Sequence, residues 1–307
     1  ITSYNQRELI VRAISSVMEI DYENMEIVVL DDCSADGSYE KAKFFEHKDK
    51  RVKVYRNEKN LGRTKTYRRL LYELAGGDWV IMLDGDDYFV KSDFFKKSVK
   101  AIERYPDLVA VIGGYIKDDG KKRIVRLPDE AYKRGVDVTL SYPDIHYSHC
   151  SVLYKRSLAT SLDFYRAGIM SDDLESHLRL FIHGGVYFIP EVVYVWNLNP
   201  QSETFRRKYK EHLYNITTLV ESVNNHVKNV YPELLKDAEG WKKKAFIKLY
   251  RITLAVYGVE SRLTLKEIWG DIKKYFSFFW FIFSGLFLVV ILYYLLPKPL
   301  FVRVRDT

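Results

Sequence analysis

Trp79-Val80-Ile81-Met82-Leu83-Asp84-Gly85-Asp86-Asp87 is an apolar run that ends in three carboxylates. The apolar part reads as a buried strand, and the acidic part falls where that strand surfaces. Carboxylates crowded at one strand end repel each other unless they share a cation. Ligation by oxygen alone suits Mg²⁺ or Mn²⁺, ions that commonly hold a substrate's phosphates. The stretch therefore points to an enzyme acting on a nucleoside diphosphate. A capped acidic turn is the plainer alternative, and three carboxylates this close fit it poorly.

The neighbouring pattern supplies the fold. Gln6–Met18 sets Ile10, Ala13, Ile14, Val17 and Met18 on one helical stripe. Met25–Leu30 reads as a buried strand closing on Asp31-Asp32, and Val52–Tyr55 as a short strand. Arg63–Leu74 is a basic helix. Ser92 reads as the N-cap of a helix reaching Arg104, and Leu108–Ile112 as the next strand. Asp118–Arg126 reads as a charged hairpin; Ser151–Lys155 and Val186–Ile189 are strands flanking a helix over Asp173–Ile182. This alternation predicts an α/β fold, a mostly parallel central sheet covered by helices on both faces. Ligands in such folds sit beyond the carboxyl ends of the strands, where both acidic clusters fall.

The chain has 307 residues, 47% of them apolar, enough for one large domain with an appendage. Its net charge of +7 suits an anionic partner. Basic residues gather after Trp241, next to a very apolar segment, which favours a membrane surface over nucleic acid. Two cysteines, Cys33 and Cys150, are too few for a disulfide framework and predict a reduced, cytoplasmic setting for the catalytic part. No signal peptide is visible. The chain opens at Ile1 without Met, inside what reads as a strand, so a few preceding residues are expected.

After Pro200 the pattern turns to long helices. Leu213, Ile216, Leu219, Val220, Val223 and Val227 form one stripe. Ala245, Ile247, Leu249, Ile252, Val256 and Val259 lie among Lys242, Lys243, Lys244, Lys248 and Arg251. Residues 203–274 are thus expected as amphipathic basic helices at a membrane surface. Tyr275–Leu296 carries no charge and, at about 1.5 Å per residue, is long enough to cross a hydrocarbon core. Lysines and arginines flank it on both sides, so a single span and a re-entrant helix are both open. A basic tail, 297–307, follows.

The motifs, taken in order, resemble the family 2 glycosyltransferases of the GT-A fold. Thr2-Ser3-Tyr4-Asn5 resembles the family's opening strand-to-loop signature, and Asp31-Asp32-Cys33-Ser34-Ala35-Asp36-Gly37-Ser38 its second. Asn60-Leu61-Gly62, Ala75-Gly76-Gly77-Asp78-Trp79 and Leu83-Asp84-Gly85-Asp86-Asp87 follow in the family's order. Each is weak alone; the ordered set is specific. The resemblance spans 1–202 and implies a Rossmann-like nucleotide-sugar half, about 1–115, and an acceptor half, about 116–202.

The resemblance also implies roles. Thr2, Tyr4, Asn5, Asp31 and Asp32 would meet the nucleoside. Asp86, with Asp84 beside it, would hold the metal, Mn²⁺ or Mg²⁺, and Asp84 would also lie near the ribose. Met170-Ser171-Asp172-Asp173-Leu174-Glu175 resembles the acidic acceptor-site motif, with Asp172 in place of the usual Glu and Asp173 as catalytic base. A sugar hydroxyl is a poor nucleophile, and a carboxylate in reach takes its proton as it attacks. Favouring a helix start is the plainer reading of both aspartates. Arg63 and Arg68 either reach the diphosphate or form a solvated face. At Tyr67 and Arg68 the family commonly has Arg-Asn, so the nucleotide contacts of that helix do not carry over. Near Pro200 the family's His is missing, which leaves Gln201 and Ser202 as phosphate contacts. His149, three residues after His146, invites a zinc reading but lacks a four-ligand set, so it is assigned to the acceptor-side strand.

The reading that results is an inverting hexosyltransferase at the cytoplasmic membrane face. Its donor is a nucleotide sugar, UDP-linked, and its acceptor a lipid-linked or envelope glycan. Polyprenyl phosphate is the alternative acceptor, and an inactive membrane-anchored glycan-binding protein the alternative of another class. Nucleic acid is not expected as a partner.

Overall fold

The computed structural model describes residues 1–254 except 91, 119, 128 and 199–207, together with 266–267 and 270–271. The chain divides into two units, residues 1–202 and 203–307.

The first unit opens with a parallel three-stranded sheet. Strands β1 (Thr2–Ser3), β2 (Ile27–Asp31) and β3 (Val52–Arg56) lie in that order. Helix α1 (Arg7–Met18) joins β1 to β2, and α2 (Ser38–Lys43) leads toward β3. The stripe read from sequence on α1 is the buried one, with Ile10, Ala13, Ile14 and Val17 inside. They pack with Ile27, Val29, Val52 and Val54 of the sheet. Burying each isoleucine or valine stabilises by about 1.5–3 kcal/mol, which fixes α1 against the strands.

Helix α3 (Arg63–Arg69) continues into a π-helical turn over Leu70–Leu74, so the single basic helix expected there is two kinds of helix. The run expected as a buried strand is ordered as β4 over Trp79–Val80 only, and those residues are half-buried. Its end still behaves as a strand: Thr2 N donates to Leu83 O at 3.2 Å, and Thr2 and Asp84 form a parallel bridge. The acidic turn is thereby laid against β1.

The rest of the unit corrects the expectation of a mostly parallel sheet. Strands β5 (Tyr88–Phe89), β6 (Leu108–Asp118), β7 (Lys122–Val125), β8 (Ala131–Arg134), β9 (Val152–Lys155) and β10 (Gly185–Asn197) join β4 in a seven-stranded sheet. Only β6 and β10 pair in parallel there; the β4–β9, β6–β9, β6–β7, β10–β5 and β10–β8 pairs are antiparallel. The reason lies in the connections. Parallel neighbours need a crossover of about a dozen residues, usually a helix. Helix α4 (Phe94–Arg104) is long, but α5 (Gly135–Ser141) and α6 (Arg156–Ser161) are one or two turns, and the end of β6 pairs with the start of β7, Asp118 with Lys122. Helix α7 (Asp172–Phe181) precedes β10, which is three times the length expected from the apolar core of its sequence.

In the second unit, α8 (Tyr209–Val230) buries Leu213, Ile216, Leu219, Val220, Val223 and Val227, the stripe read from sequence. It packs on α9 (Leu235–Thr253) through those side chains and the Tyr209–Tyr250 hydroxyl contact at 3.0 Å. On α9 the buried face is Ala238, Trp241, Ala245, Phe246, Ile247 and Tyr250, and Ile252 is exposed instead. Among the described residues no helix is long and apolar enough to cross a membrane. The segment 275–296 lies outside the described residues, as does the tail 297–307.

Candidate active site

The turn Asp84–Asp87 is pressed onto the first strand. Thr2 Oγ1 donates to Asp84 Oδ1 at 3.2 Å. A Cβ at Gly85 would stand 2.6 Å from Thr2 O and 2.5 Å from Gln6 Oε1, so the approach requires glycine. Asp87 N closes the turn on Asp84 O at 3.0 Å, and Arg12 Nη2 donates to Asp86 O at 3.1 Å. The Asp87 carboxyl is buried, and the Cys150 Sγ lies 3.8 Å from its Oδ2. The carboxyl accepts the Asn197 amide of β10 at 2.8 Å. Burial, with Asp84 and Asp86 close by, pushes its pKa well above the usual carboxylate value. Asp87 therefore ties the turn to β10.

His149 is the centre of the arrangement. Its Nε2 lies 3.4 Å from Asp84 Oδ2 and its Nδ1 lies 3.2 Å from Asp173 Oδ2. The ring thus spans the carboxylate at the end of the 79–83 run and the carboxylate at the start of α7. Burial alone would keep the ring neutral. Cys150, Asp84 and Asp173 outweigh it and raise the His149 pKa well above its usual value. Burial pushes the Cys150 thiol up to about 12, so at neutral pH the two carboxylates are what hold the charge on the ring. The reciprocal effect falls on Asp84. Its burial opposes ionisation, yet His149, with help from Tyr67 and Arg63, holds its pKa well below the ordinary range.

Tyr67 completes this side, and nothing in the sequence reading gave it a role. Its hydroxyl donates to Asp84 Oδ1 and lies 3.4 Å from His149 Nε2. The departure from the family pattern at this position was the available signal: a phenol stands where a cation is common. Arg63, one turn earlier on α3, donates to Met170 O and sits 5.7 Å from the centre of the Tyr67 ring.

The nucleoside end is built differently. Asp31 has no exposed surface; Ser34 Oγ donates to its Oδ1, and Ser34 N donates to its Oδ2 at 2.8 Å. Arg56 Nε lies 3.6 Å from the same Oδ2. Asp31 therefore holds its own loop, which corrects the expectation that it meets the nucleoside. Asp32 accepts Asn57 Nδ2 at 2.7 Å and Leu61 N at 2.8 Å on Oδ1, and Gly62 N at 2.9 Å on Oδ2. A carboxylate offers about four acceptor directions, so one direction on Oδ2 is left over. Asn5, at φ 52°, takes Ala35 N on its Oδ1 at 3.0 Å, and Tyr4 is 48% exposed at the rim.

Two expected contacts are drawn away from this site. Arg68 follows Tyr67 by one residue, about 100° around the helix. Its Nη1 donates to Asp163 Oδ1 at 2.7 Å and Phe164 O at 2.6 Å. Asp172 is buried, accepting Ala167 N at 2.8 Å and Thr64 Oγ1 at 3.2 Å, so it joins α7 to α3 instead of facing an acceptor. Asp173 stays partly exposed and faces the ring: Leu174 N donates to its Oδ1 at 2.7 Å, and Oδ2 faces His149. Gln201 and Ser202 lie outside the described residues.

The sequence model of glycosyl transferase family 2 matches residues 1–162, and the chain belongs to that family. TuaG of Bacillus subtilis, named for teichuronic acid biosynthesis, is 33% identical over 102 residues, which are 33% of this chain and 40% of TuaG. The match thus spans less than half of TuaG. EpsE of the same organism is 25% identical over 217 residues, 67% of this chain and 73% of EpsE. Among solved structures, TarS of S. aureus in complex with UDP-GlcNAc superposes with a TM-score of 0.65 at 16% identity, covering 87% of this chain and 75% of that one. The mannosyltransferase PcManGT of Pyrobaculum calidifontis, in complex with GDP-Man and Mn²⁺, gives 0.56 at 17% identity, covering 98% and 81%. These likenesses show a GT-A-like α/β fold.

Proposed function

We propose that this glycosyltransferase moves a sugar from a UDP-linked donor to a lipid-linked or cell-envelope glycan at a membrane, inverting the anomeric configuration. The observation that carries the reading is the His149 bridge. It brings the candidate donor carboxylate, Asp84, and the candidate base, Asp173, to opposite nitrogens of one ring. A base set one imidazole's width from the donor's phosphate side is placed to take the proton of a hydroxyl attacking the anomeric carbon. One such attack inverts that carbon.

The residues fit a divalent ion. Asp84 is held ionised and Asp86 is half-exposed across a glycine-tight turn, a hard oxygen donor pair of the kind Mn²⁺ and Mg²⁺ favour. When bound, the ion would neutralise the diphosphate as it leaves. Thr2 and Tyr67 orient Asp84, and Arg63 adds positive charge nearby. Support for a nucleotide-sugar donor comes from the UDP-GlcNAc and GDP-Man complexes of the similar folds, and support for UDP from the first of them alone. Support for an envelope glycan comes from the name of TuaG. The exposed Lys243, Lys244 and Arg251 on α9 support a membrane surface.

The test is Asp173→Asn. It should bind donor as the wild type does and transfer sugar at least about 100-fold more slowly, the scale of general-base catalysis. Lost donor binding, or transfer within a few-fold of wild type, would remove Asp173 from this role.

A further inference from the structure

Cys150 brings a third kind of ligand atom to the His149 bridge. Its Sγ lies 3.2 Å from His149 Nε2, which is itself 3.4 Å from Asp84 Oδ2. Ligand atoms of all three residues lie within 4.8 Å of one another. A tetrahedral Zn²⁺, with bonds of about 2.0–2.3 Å, sets its ligand atoms about 3.3–3.8 Å apart. One measured edge fits as it stands, and the other needs a shift of a few tenths of an ångström.

We propose that Asp84, His149 and Cys150 form a site for a thiophilic divalent ion such as Zn²⁺, and that filling it shuts off sugar transfer. The surroundings are those of a built metal site. His149 Nδ1 faces the Asp173 carboxylate, the carboxylate–histidine–metal arrangement that fixes a ligating ring. The Tyr67 hydroxyl bonds the Asp84 oxygen that the ion would not use. Three protein ligands leave a fourth position open. Binding needs no redox partner: the proton on His149 Nε2 and the thiol proton of Cys150 leave to solvent, and nitrogen and sulfur lone pairs go to the ion. Hard Mg²⁺ gains little from the sulfur, so the site selects by softness. Asp84 serves both the oxygen site with Asp86 and this one, and cannot serve both at once.

Co²⁺ added to the full chain tests this without sugar transfer as the readout. A thiolate-to-cobalt absorption band in the near ultraviolet should rise and saturate at one ion per chain. It should vanish in Cys150→Ser, and in Cys150→Ala should the serine variant misfold. It should persist in Cys33→Ser and in Asp86→Asn. Zn²⁺ should then inhibit Mn²⁺-supported transfer by the wild type at least about tenfold more strongly than transfer by the Cys150 variant. A wild-type chain that is folded by circular dichroism and gives no thiolate band overturns the proposal. So does a band that survives loss of Cys150. Failure of Asp173→Asn to behave as a base variant would leave the cobalt band untouched, so the two readings fail separately.

Discussion

Asp31-Asp32 and Asp84–Asp87 are the same sequence signal, carboxylates at a strand end, put to opposite uses. The first pair is closed by the chain's own donors. Ser34 fills Asp31, while Asn57, Leu61 and Gly62 fill most of Asp32. The second cluster is held by a charged ring, a phenol and a threonine, and Asp84 and Asp86 keep part of their surface exposed. A carboxylate satisfied by backbone amides builds a loop. One balanced by a side-chain cation is held charged and can exchange that partner for a ligand.

This contrast is open to breaking. Asp86→Ala should drop metal-dependent turnover below detection while stability stays within about 0.5 kcal/mol of wild type, as for a surface change. Wild-type rates in the presence of a chelator would erase the distinction between the clusters. Asp32→Asn should do the reverse and destabilise by about 3 kcal/mol. It sets an amide donor against the Leu61 or Gly62 N–H and loses bonds worth about 1.5–3 kcal/mol each. Chemical denaturation measures it, and an unchanged midpoint would mean the loop does not depend on Asp32. The smallest effect is a pH dependence. His149 has a folded pKa above its unfolded value, so its stabilisation is complete below about 6.5 and fades as pH rises through the raised folded value. The stability difference between wild type and His149→Gln, about 1 kcal/mol near pH 6, should shrink as the solution is made alkaline. A difference that grows with pH would show that the ring is neutral in the folded chain.

Much of the frame was legible in the sequence because it is local. The α1 stripe, the α8 stripe and the two acidic strand ends announce themselves within a few residues. The sheet's mixed direction was not, because hairpins and crossovers differ only in what joins the strands, and β10 runs well past its apolar core. Within the candidate site, the motifs singled out Asp84 and Asp173, the two carboxylates that face His149. Tyr67 was missed, and His149 was read as lining the acceptor side without its two carboxylate partners, because those contacts join residues far apart in sequence. Asp172 and Arg68 were misplaced for the complementary reason. Their chemistry suits a ligand, and only the neighbours, Ala167, Thr64 and Asp163, show that it is already used.

β10 has a consequence of its own. It pairs with β5, β6 and β8 along thirteen residues, and its last amide, Asn197, is the one that grips Asp87. Slow hydrogen exchange gathers where opening requires the whole domain to unfold. The amides of β6 and β10 should therefore be the last to exchange, with protection reaching out along β10 to Asn197. The acidic turn would then be moored to the slowest-opening part of the molecule, so loops around it can loosen for ligands without releasing the carboxylates.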